Sequence, residues 1–245
     1  MKLLLTNADG IDGEGLRALA EELSKEHELL IVAPTGNRSA NSHLMTIGKP
    51  MSLQTNDNFP GKAFALDGSP VDCVKFAHEM LPEYPFEAVV SGINCGPNLG
   101  TDAMYSGTVG AAVEGAFLGY PSIAFSSCSP KNNLFDLQAK LALQLLPKLI
   151  ATATPRIAWN VNFPNIPKEE IKGAKFCRLG RMEYLHHYEK MEGGYRLRGE
   201  YASCPNLPES DLEQLKQGYV AIAPVVVDLT DEGIFAKYKS ESILL

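Results

Sequence analysis

Strand-length apolar runs alternate with amphipathic stretches along the first two thirds of the chain. The run at 3–5 leads into small polar residues, and a helical pattern over 14–25 follows it. Repetition of this strand, turn and helix order predicts a mostly parallel sheet with helices on both faces. Further strands are predicted at 28–33, 51–54, 63–66, 86–90, 121–126 and 157–162, and further helices at about 70–80, 109–118 and 134–150.

The pattern changes after about residue 174. A strand at 174–178 is followed by a stretch rich in Tyr, His, Arg and Gly at 184–201, which is typical of an extended hairpin. A short helix at 211–217, a strand at 219–224 and a mixed helical end complete the chain. We therefore interpret 1–173 as a Rossmann-like three-layer α/β core. We interpret 174–245 as a C-terminal β-hairpin and helix arm that reaches a partner subunit and partly returns to the core. The alternative is an edge extension of the same monomer.

Composition narrows the class of protein. The 245 residues are 45% hydrophobic and carry a net charge of −7, which suits an α/β domain and argues against a cationic nucleic-acid-binding face. We find no apolar run near the roughly 18 residues of a membrane span. There is also no pattern of a signal peptide. The five cysteines, Cys204 among them, are widely spaced, which favours reduced thiols in a cytoplasmic protein.

Polar loops follow three of the predicted strands, at 7–10, 37–43 and 91–108. Because the carboxyl ends of parallel strands meet at one edge of a sheet, we expect these loops to converge there. Hard divalent cations prefer oxygen ligands, so one Mg²⁺ or Mn²⁺ ion is predicted, with Ca²⁺ also compatible. The candidate oxygen donors are Asn7, Asp9, Ser39, Asn94 and Asn98.

The end of the long loop suits a phosphate group. Ser106, Gly107 and Thr108 supply hydroxyls and backbone N–H groups, and Ser106 or Thr108 begins a helix whose N-terminus favours an anion. A cation beside such a helix start is typical of a phosphate-ester hydrolase. The predicted catalytic residues are Asp9, Asn94, Ser106 and Thr108. The predicted substrate or phosphate contacts are Asn7, Ser39, His43, Asn98, Ser106, Gly107 and Thr108.

Each of these residues has a purely structural alternative. Asp9 could be a helix N-cap, Ser39 a turn residue and Thr108 a helix cap. Asn94 could hold a left-handed turn, and His43 could be a solvated loop residue. A dinucleotide site is disfavoured because the first strand lacks a GxGxxG motif and its loop carries a carboxylate.

Taken together, the motifs resemble those of the SurE family, the stationary-phase survival proteins. The resemblance runs nearly end to end and rests on LLTNADG at 4–10, VAP at 32–34, RS at 38–39, GSPVDCV at 68–74, VSGIN at 90–94, GPNLG at 96–100, YSGTV at 105–109, NVNFP at 160–164 and GYVAIAP at 218–224. It implies a metal-dependent 5′-nucleotidase that hydrolyses nucleoside monophosphates. It also implies a homodimer or homotetramer with a swapped C-terminal arm, and no stable nucleic-acid or membrane partner.

The resemblance further implies a divalent ion held by two adjacent aspartates of the first loop, together with Ser39 and Asn94. This chain departs from that pattern, because Ala8 stands where the first aspartate is expected and only Asp9 remains. A methyl group neither coordinates a metal nor moves a proton, so we expect weaker metal binding and slower chemistry. In the tail, Glu232 occupies a position at which many relatives carry histidine.

Three hypotheses follow. The first is a nucleoside 5′-monophosphate phosphatase impaired by Ala8. The second is a non-catalytic nucleotide-binding protein with the same fold. The third, a dinucleotide-dependent oxidoreductase, has little support in the motifs.

Overall fold

The structure is a computed structural model that describes residues 1–202, 207–226 and 228–240. Cys204 and the last five residues lie outside the described residues. The strands are β1 (Lys2–Thr6), β2 (Glu28–Pro34), β3 (Leu53–Thr55), β4 (Lys62–Leu66), β5 (Ala88–Cys95), β6 (Ser122–Ser127), β7 (Ile157–Phe163), β8 (Ala174–Phe176), β9 (Glu183–Met191), β10 (Gly194–Ala202) and β11 (Val220–Val226). The α-helices are α1 (Glu14–Leu23), α2 (Pro70–Met80), α3 (Gly107–Phe117), α4 (Phe135–Ala151), α5 (Asp211–Lys216) and α6 (Glu232–Tyr238).

A nine-stranded sheet forms the centre of the described chain, in the order β3-β4-β2-β1-β5-β6-β7-β11-β8. The strands from β4 to β7 in this order are parallel to their neighbours, whereas β3 and β11 pair antiparallel with β4 and β7. The predicted class, a mostly parallel α/β sheet, is confirmed.

Side chains of successive residues in β1 enter different cores, as the two-residue period of a strand requires. Leu3 and Leu5 pack in a cluster with Leu16 of α1 and Ala142 of α4. Leu4 packs in a second cluster that contains side chains of α2 and α3. The sheet is thus covered on both faces, which makes the core a three-layer structure and leaves its strand ends open for loops.

The segment predicted as one long loop, 91–108, contains regular structure at both its start and its middle. Strand β5 continues past its predicted end at residue 90 and pairs with β6 up to Cys95, after a register shift between Ser91 and Asn94. A 3-10 helix, Gly100–Tyr105, occupies part of the predicted loop. The sequence there is polar and rich in glycine and has no alternation of apolar residues. This part of β5 is a strand because it pairs with β6, and the sequence pattern therefore did not predict it.

The C-terminal third of the chain contributes to two sheets. Strands β8 and β11 lie in the main sheet, where Val220 and Ile222 join the core. Strands β9 and β10 form a separate antiparallel hairpin, as predicted. None of the helices in the described part of the chain combines the length and the apolarity needed to cross a bilayer.

Candidate active site

The loop after β1 is closed by the side chain of Asn7. Its amide donates to the Gly10 carbonyl at 2.8 Å, and its oxygen accepts the Gly10 N–H at 3.1 Å. Gly10 has a φ of +98°, and a Cβ there would lie 2.8 Å from the carbonyl carbon of Gly36. Glycine is therefore required at this turn. Asn7 is buried, and both of its polar side-chain atoms serve to shape the loop.

Asp9 connects the first loop to the end of β5. Its Oδ2 accepts the backbone N–H of Cys95 at 2.9 Å. Burial raises the pKa of the Asp9 carboxyl, and the hydrogen bond from Cys95 only partly opposes this effect. Asp9 is not the N-cap of α1, because that position belongs to Gly13. Its carboxylate thus lies at the carboxyl-terminal edge of the sheet, where a bound cation would stabilise its charge.

Asn94 lies at the end of β5 and connects it to the first turn of α3. Its Oδ1 accepts the hydroxyl of Thr108 at 3.1 Å, and its Nδ2 donates to the Gly96 carbonyl at 2.9 Å. The left-handed residues of this stretch are Gly92 and Gly96, so Asn94 does not hold a left-handed turn. The Asn94 amide oxygen is therefore oriented by Thr108, whose own side chain is fully buried.

Ser106 is the N-cap of α3. Its hydroxyl accepts the backbone N–H of Val109 at 3.1 Å, whereas Thr108 uses its hydroxyl on Asn94. Of the two alternatives left open by the sequence, Ser106 is therefore the cap. The unpaired N–H groups of a helix start favour an anion, and here they follow directly after Ser106.

Ala8, in the first loop, lies against the start of α3. It is 2% exposed, and its carbonyl accepts the backbone N–H of Arg38 at 2.7 Å. A Cβ placed on Gly107 would lie 3.4 Å from the Cβ of Ala8. The methyl group of Ala8 therefore faces the first residue of α3, next to the carboxylate-bearing Asp9.

The loop after β2 reaches this region through Arg38. The backbone N–H of Arg38 bonds to Ala8, so Ser39, which follows Arg38 in the chain, lies beside the first loop. Ser39 is exposed. The Arg38 guanidinium itself donates to Asp67 at 2.7 Å and to the Gly68 carbonyl at 3.3 Å. Ser39 is thus held near the site by its backbone neighbour.

His43 makes a hydrogen-bonded contact with a buried carboxylate that the sequence did not predict. Its Nε2 lies 2.7 Å from a carboxylate oxygen of Glu114, and the other oxygen accepts from Lys75 Nζ at 3.0 Å. Burial raises the pKa of Glu114, but hydrogen bonds from His43 and Lys75 outweigh it, and the net pKa lies below its usual value of 4.5. The contact anchors the loop of His43 on α3. The only sequence signal for it was a single charged residue within an apolar helix.

Asn98 is anchored in the interior. Its backbone N–H donates to Asn162 Oδ1 at 2.9 Å, and its carbonyl accepts from Asn160 and Asn162 at 2.8 and 3.1 Å. Its Nδ2 donates to Ser126 at 2.8 Å. These bonds fix the segment before the 3-10 helix. The two asparagines of β7 therefore support the site, a role that sequence reasoning missed.

The side chains of this region differ in how well they suit a divalent ion. Within the described ranges, no group of three or more His, Cys, Asp and Glu side chains is arranged to hold a metal. The described structure brings the Asp9 carboxylate to the backbone of Cys95, next to the amide oxygen of Asn94, and Ser39 follows Arg38, which bonds to the same first loop. These are ligands of the kind that hard cations take, and they supply a single negative charge.

The fold and the site define a doubly wound α/β protein with an oxygen-lined edge next to a helix start. Comparison with known proteins gives the family. The family model described as "Survival protein SurE" matches residues 3–186. The 5′-nucleotidase SurE of Carboxydothermus hydrogenoformans is 40% identical over 243 residues, with 94% of this chain and 92% of that protein covered.

Two further comparisons agree. The 5′-nucleotidase SurE of Thermosipho melanesiensis is 38% identical over 239 residues, with 95% of this chain and 94% of that protein covered. The crystal structure of the SurE protein from Aquifex aeolicus matches with a TM-score of 0.85 and 34% identity, over 98% of both chains. The chain belongs to the SurE family.

Proposed function

We propose that this protein is a divalent-metal-dependent phosphatase that hydrolyses nucleoside 5′-monophosphates to nucleoside and phosphate, and that Ala8 lowers its activity. The proposal rests on two hydrogen bonds that join three segments of the chain. Asp9 bonds to Cys95, and the adjacent Asn94 bonds to Thr108 at the start of α3. The names of the relatives, 5′-nucleotidase SurE, support the same reaction and substrate.

In this proposal Asp9, Ser39 and Asn94 hold the ion, which when bound polarises a phosphoryl oxygen of the substrate. The backbone N–H groups of Gly107 and Thr108 orient the phosphate at the helix start, where the helix dipole favours its negative charge. Thr108 keeps the Asn94 oxygen directed toward the site through its hydroxyl. Ser106 keeps the first turn of α3 formed.

Because alanine occupies position 8 instead of aspartate, one of the two negative charges expected beside the ion is missing. A cation next to one carboxylate is bound more weakly than a cation next to two, because the attraction scales with the charge of the ligands. If the missing group also moves a proton during the reaction, the rate falls by roughly 10²–10⁴. We therefore propose that the residual activity of this chain is low.

The assembly proposed for the protein is a homodimer or homotetramer formed through its C-terminal arm. The β9–β10 hairpin stands apart from the main sheet and exposes Leu185, Tyr188, Tyr195 and Leu197. Exposed apolar side chains of this number on one hairpin are typical of an interaction surface.

The test of the function is phosphate release from 5′-AMP with Mn²⁺ by this chain, Ala8→Asp and Ala8→Asn. The asparagine variant has nearly the shape of the aspartate without its charge. We expect Ala8→Asp to release phosphate roughly 10²–10⁴ times faster than this chain, and Ala8→Asn to remain slow. No gain in Ala8→Asp would overturn the proposal.

A second candidate, a non-catalytic nucleotide-binding protein, is favoured by Ala8 itself. It predicts that titration calorimetry detects binding of 5′-AMP in both this chain and Ala8→Asp, with turnover in neither. Turnover by Ala8→Asp would eliminate this candidate.

A further inference from the structure

A fully buried carboxylate lies outside the site described above, at the start of α5. Asp211 is 0% exposed, and its two oxygens accept three backbone N–H groups. Oδ2 accepts Gly100 at 2.7 Å, while Oδ1 accepts Gly180 at 2.8 Å and Leu212 at 2.9 Å. Burial raises the pKa of Asp211, and the backbone amides of Gly100, Gly180 and Leu212 oppose this effect in part by replacing the lost hydration.

The partners of Asp211 belong to two segments that pack directly on each other. Gly100 has a φ of +49°, and a Cβ there would lie 2.8 Å from the carbonyl carbon and oxygen of Gly180. The next residue, Thr101, donates its hydroxyl to the Met182 carbonyl at 2.7 Å and accepts the Met182 N–H at 3.0 Å. Asp211 therefore bonds to both of two segments in contact, 100–101 and 180–182. We call this contact the joint.

This joint stands at the beginning of the segment that carries the phosphate-side residues. The 3-10 helix Gly100–Tyr105 ends where Ser106 caps α3, and Gly107 and Thr108 follow. Upstream, Asn98 is already fixed by β7. The position of the helix start thus depends on anchors at 98 and at 100–101, and Asp211 supplies one of the bonds at the second anchor.

We propose that Asp211 is a positioning residue for the phosphate-side segment 98–108, through which the base of the C-terminal hairpin orients the substrate phosphate. The proposal rests on the proposed function for its substrate. The same joint extends into the hairpin, because the Tyr184 hydroxyl donates to Asp102 at 2.6 Å. Asp211 touches no reacting atom, so its effect is exerted through the backbone of Gly100.

The substitution Asp211→Asn tests this role. Asparagine has one acceptor oxygen where aspartate has two, and its NH₂ group would face a backbone N–H. The matched control is Ser210→Ala, which removes the N-cap bond to Glu213 of the same helix and leaves the bonds of Asp211 to Gly100 and Gly180 in place. Both variants are made in the full chain and in an Ala8→Asp background.

Two readouts are measured, amide hydrogen exchange over 98–108 and the KM and kcat for 5′-AMP. We expect Asp211→Asn to speed exchange in this segment and to lower kcat/KM by roughly tenfold to a hundredfold, chiefly through KM. Ser210→Ala should leave both unchanged, even where its thermal midpoint falls. If Asp211→Asn does not fold, Thr101→Val, which breaks the neighbouring bonds to Met182, provides the same comparison.

Unchanged exchange over 98–108 in the folded variant would overturn the proposal, as would faster exchange with unaltered kcat/KM in an active background. Because exchange is measured without turnover, inactivity of Ala8→Asp would count against the proposed function alone. In that case faster exchange would still support the joint, and phosphate binding measured by calorimetry would decide whether it positions the anion.

Discussion

Replacement of Glu114 by glutamine tests whether the loop of His43 is fixed on α3 by its contact with the buried Glu114 carboxylate. The side chain of Glu114 is 5% exposed, whereas those of His43 and Lys75 are 38% and 41% exposed. Glutamine keeps the shape and one acceptor oxygen but loses the charge. The perturbation therefore removes the electrostatic part of both contacts without creating a cavity.

The size of the effect follows from the two contacts. A hydrogen bond to a charged group contributes about 1.5–3 kcal/mol when it is well shielded, and an exposed ion pair about 0.2–1 kcal/mol. His43 and Lys75 are both more than a third exposed, so each of the two contacts with Glu114 is expected to contribute about 0.5–1 kcal/mol, in the range of an exposed ion pair. We expect a loss of about 1–2 kcal/mol in the free energy of unfolding. For a chain of this size that is a fall of roughly 2–8 °C in Tm.

The effect should depend on pH with a defined sign. The net pKa of Glu114 is lowered from 4.5, because its hydrogen bonds to His43 and Lys75 outweigh the effect of burial. Ionised Glu114 therefore stabilises the fold at pH values above 4.5, and this contribution is lost as the pH falls through the lower, folded pKa. The difference in Tm between the wild-type chain and Glu114→Gln should be full at neutral pH and should shrink in acid.

Thermal unfolding followed by circular dichroism at neutral pH and at stepwise lower pH measures this difference. The matched control is Glu189→Gln, because hydrogen bonding to Arg198 also lowers the pKa of Glu189, which lies on the exposed hairpin. We expect no measurable change in Tm for the control. An unchanged Tm for Glu114→Gln at neutral pH, or a difference that persists unaltered in acid, would refute the reasoning.

Three other predictions concern the core, a helix cap and the site. Leu16→Ala removes a fully buried side chain and should cost about 2–5 kcal/mol in urea unfolding; a loss below 1 kcal/mol would contradict the packing described. Ser69→Ala breaks the capping box of α2 and should cost about 1 kcal/mol by the same method, with Ser52→Ala at an exposed position as a neutral control. Asp9→Asn removes the one carboxylate of the site and should weaken Mn²⁺ binding in calorimetry; equal affinity would exclude Asp9 as a ligand.

The fold was predictable because its strands are short apolar runs bounded by turns. The run at 3–5 divides its side chains between two cores, and the apolar runs of β2, β4 and the first half of β5 are buried in the same way. The extension of β5 to Cys95 was not predictable. Its residues from Ser91 onward are polar or glycine, and they are held by pairing with β6 across a register shift, which leaves no periodic pattern in the sequence.

The grouping of Asp9, Asn94 and Thr108 followed from one rule, that the ends of parallel strands share an edge. Side-chain partners distant in the chain did not follow from any rule. Glu114 meets Lys75 across two helices, and Asp211 meets Gly100 across more than a hundred residues. In both cases the partner of the carboxylate is set by packing of the folded chain.

The central claim is that oxygens from loops distant in the chain gather around one ion. The most direct measurement is anomalous diffraction at the manganese edge from crystals of this chain and of Ala8→Asp, each soaked in Mn²⁺. The account predicts one manganese peak within coordination distance of Asp9 and Asn94, with higher occupancy in the Ala8→Asp crystal. Absence of manganese beside Asp9 and Asn94 in both crystals would contradict it.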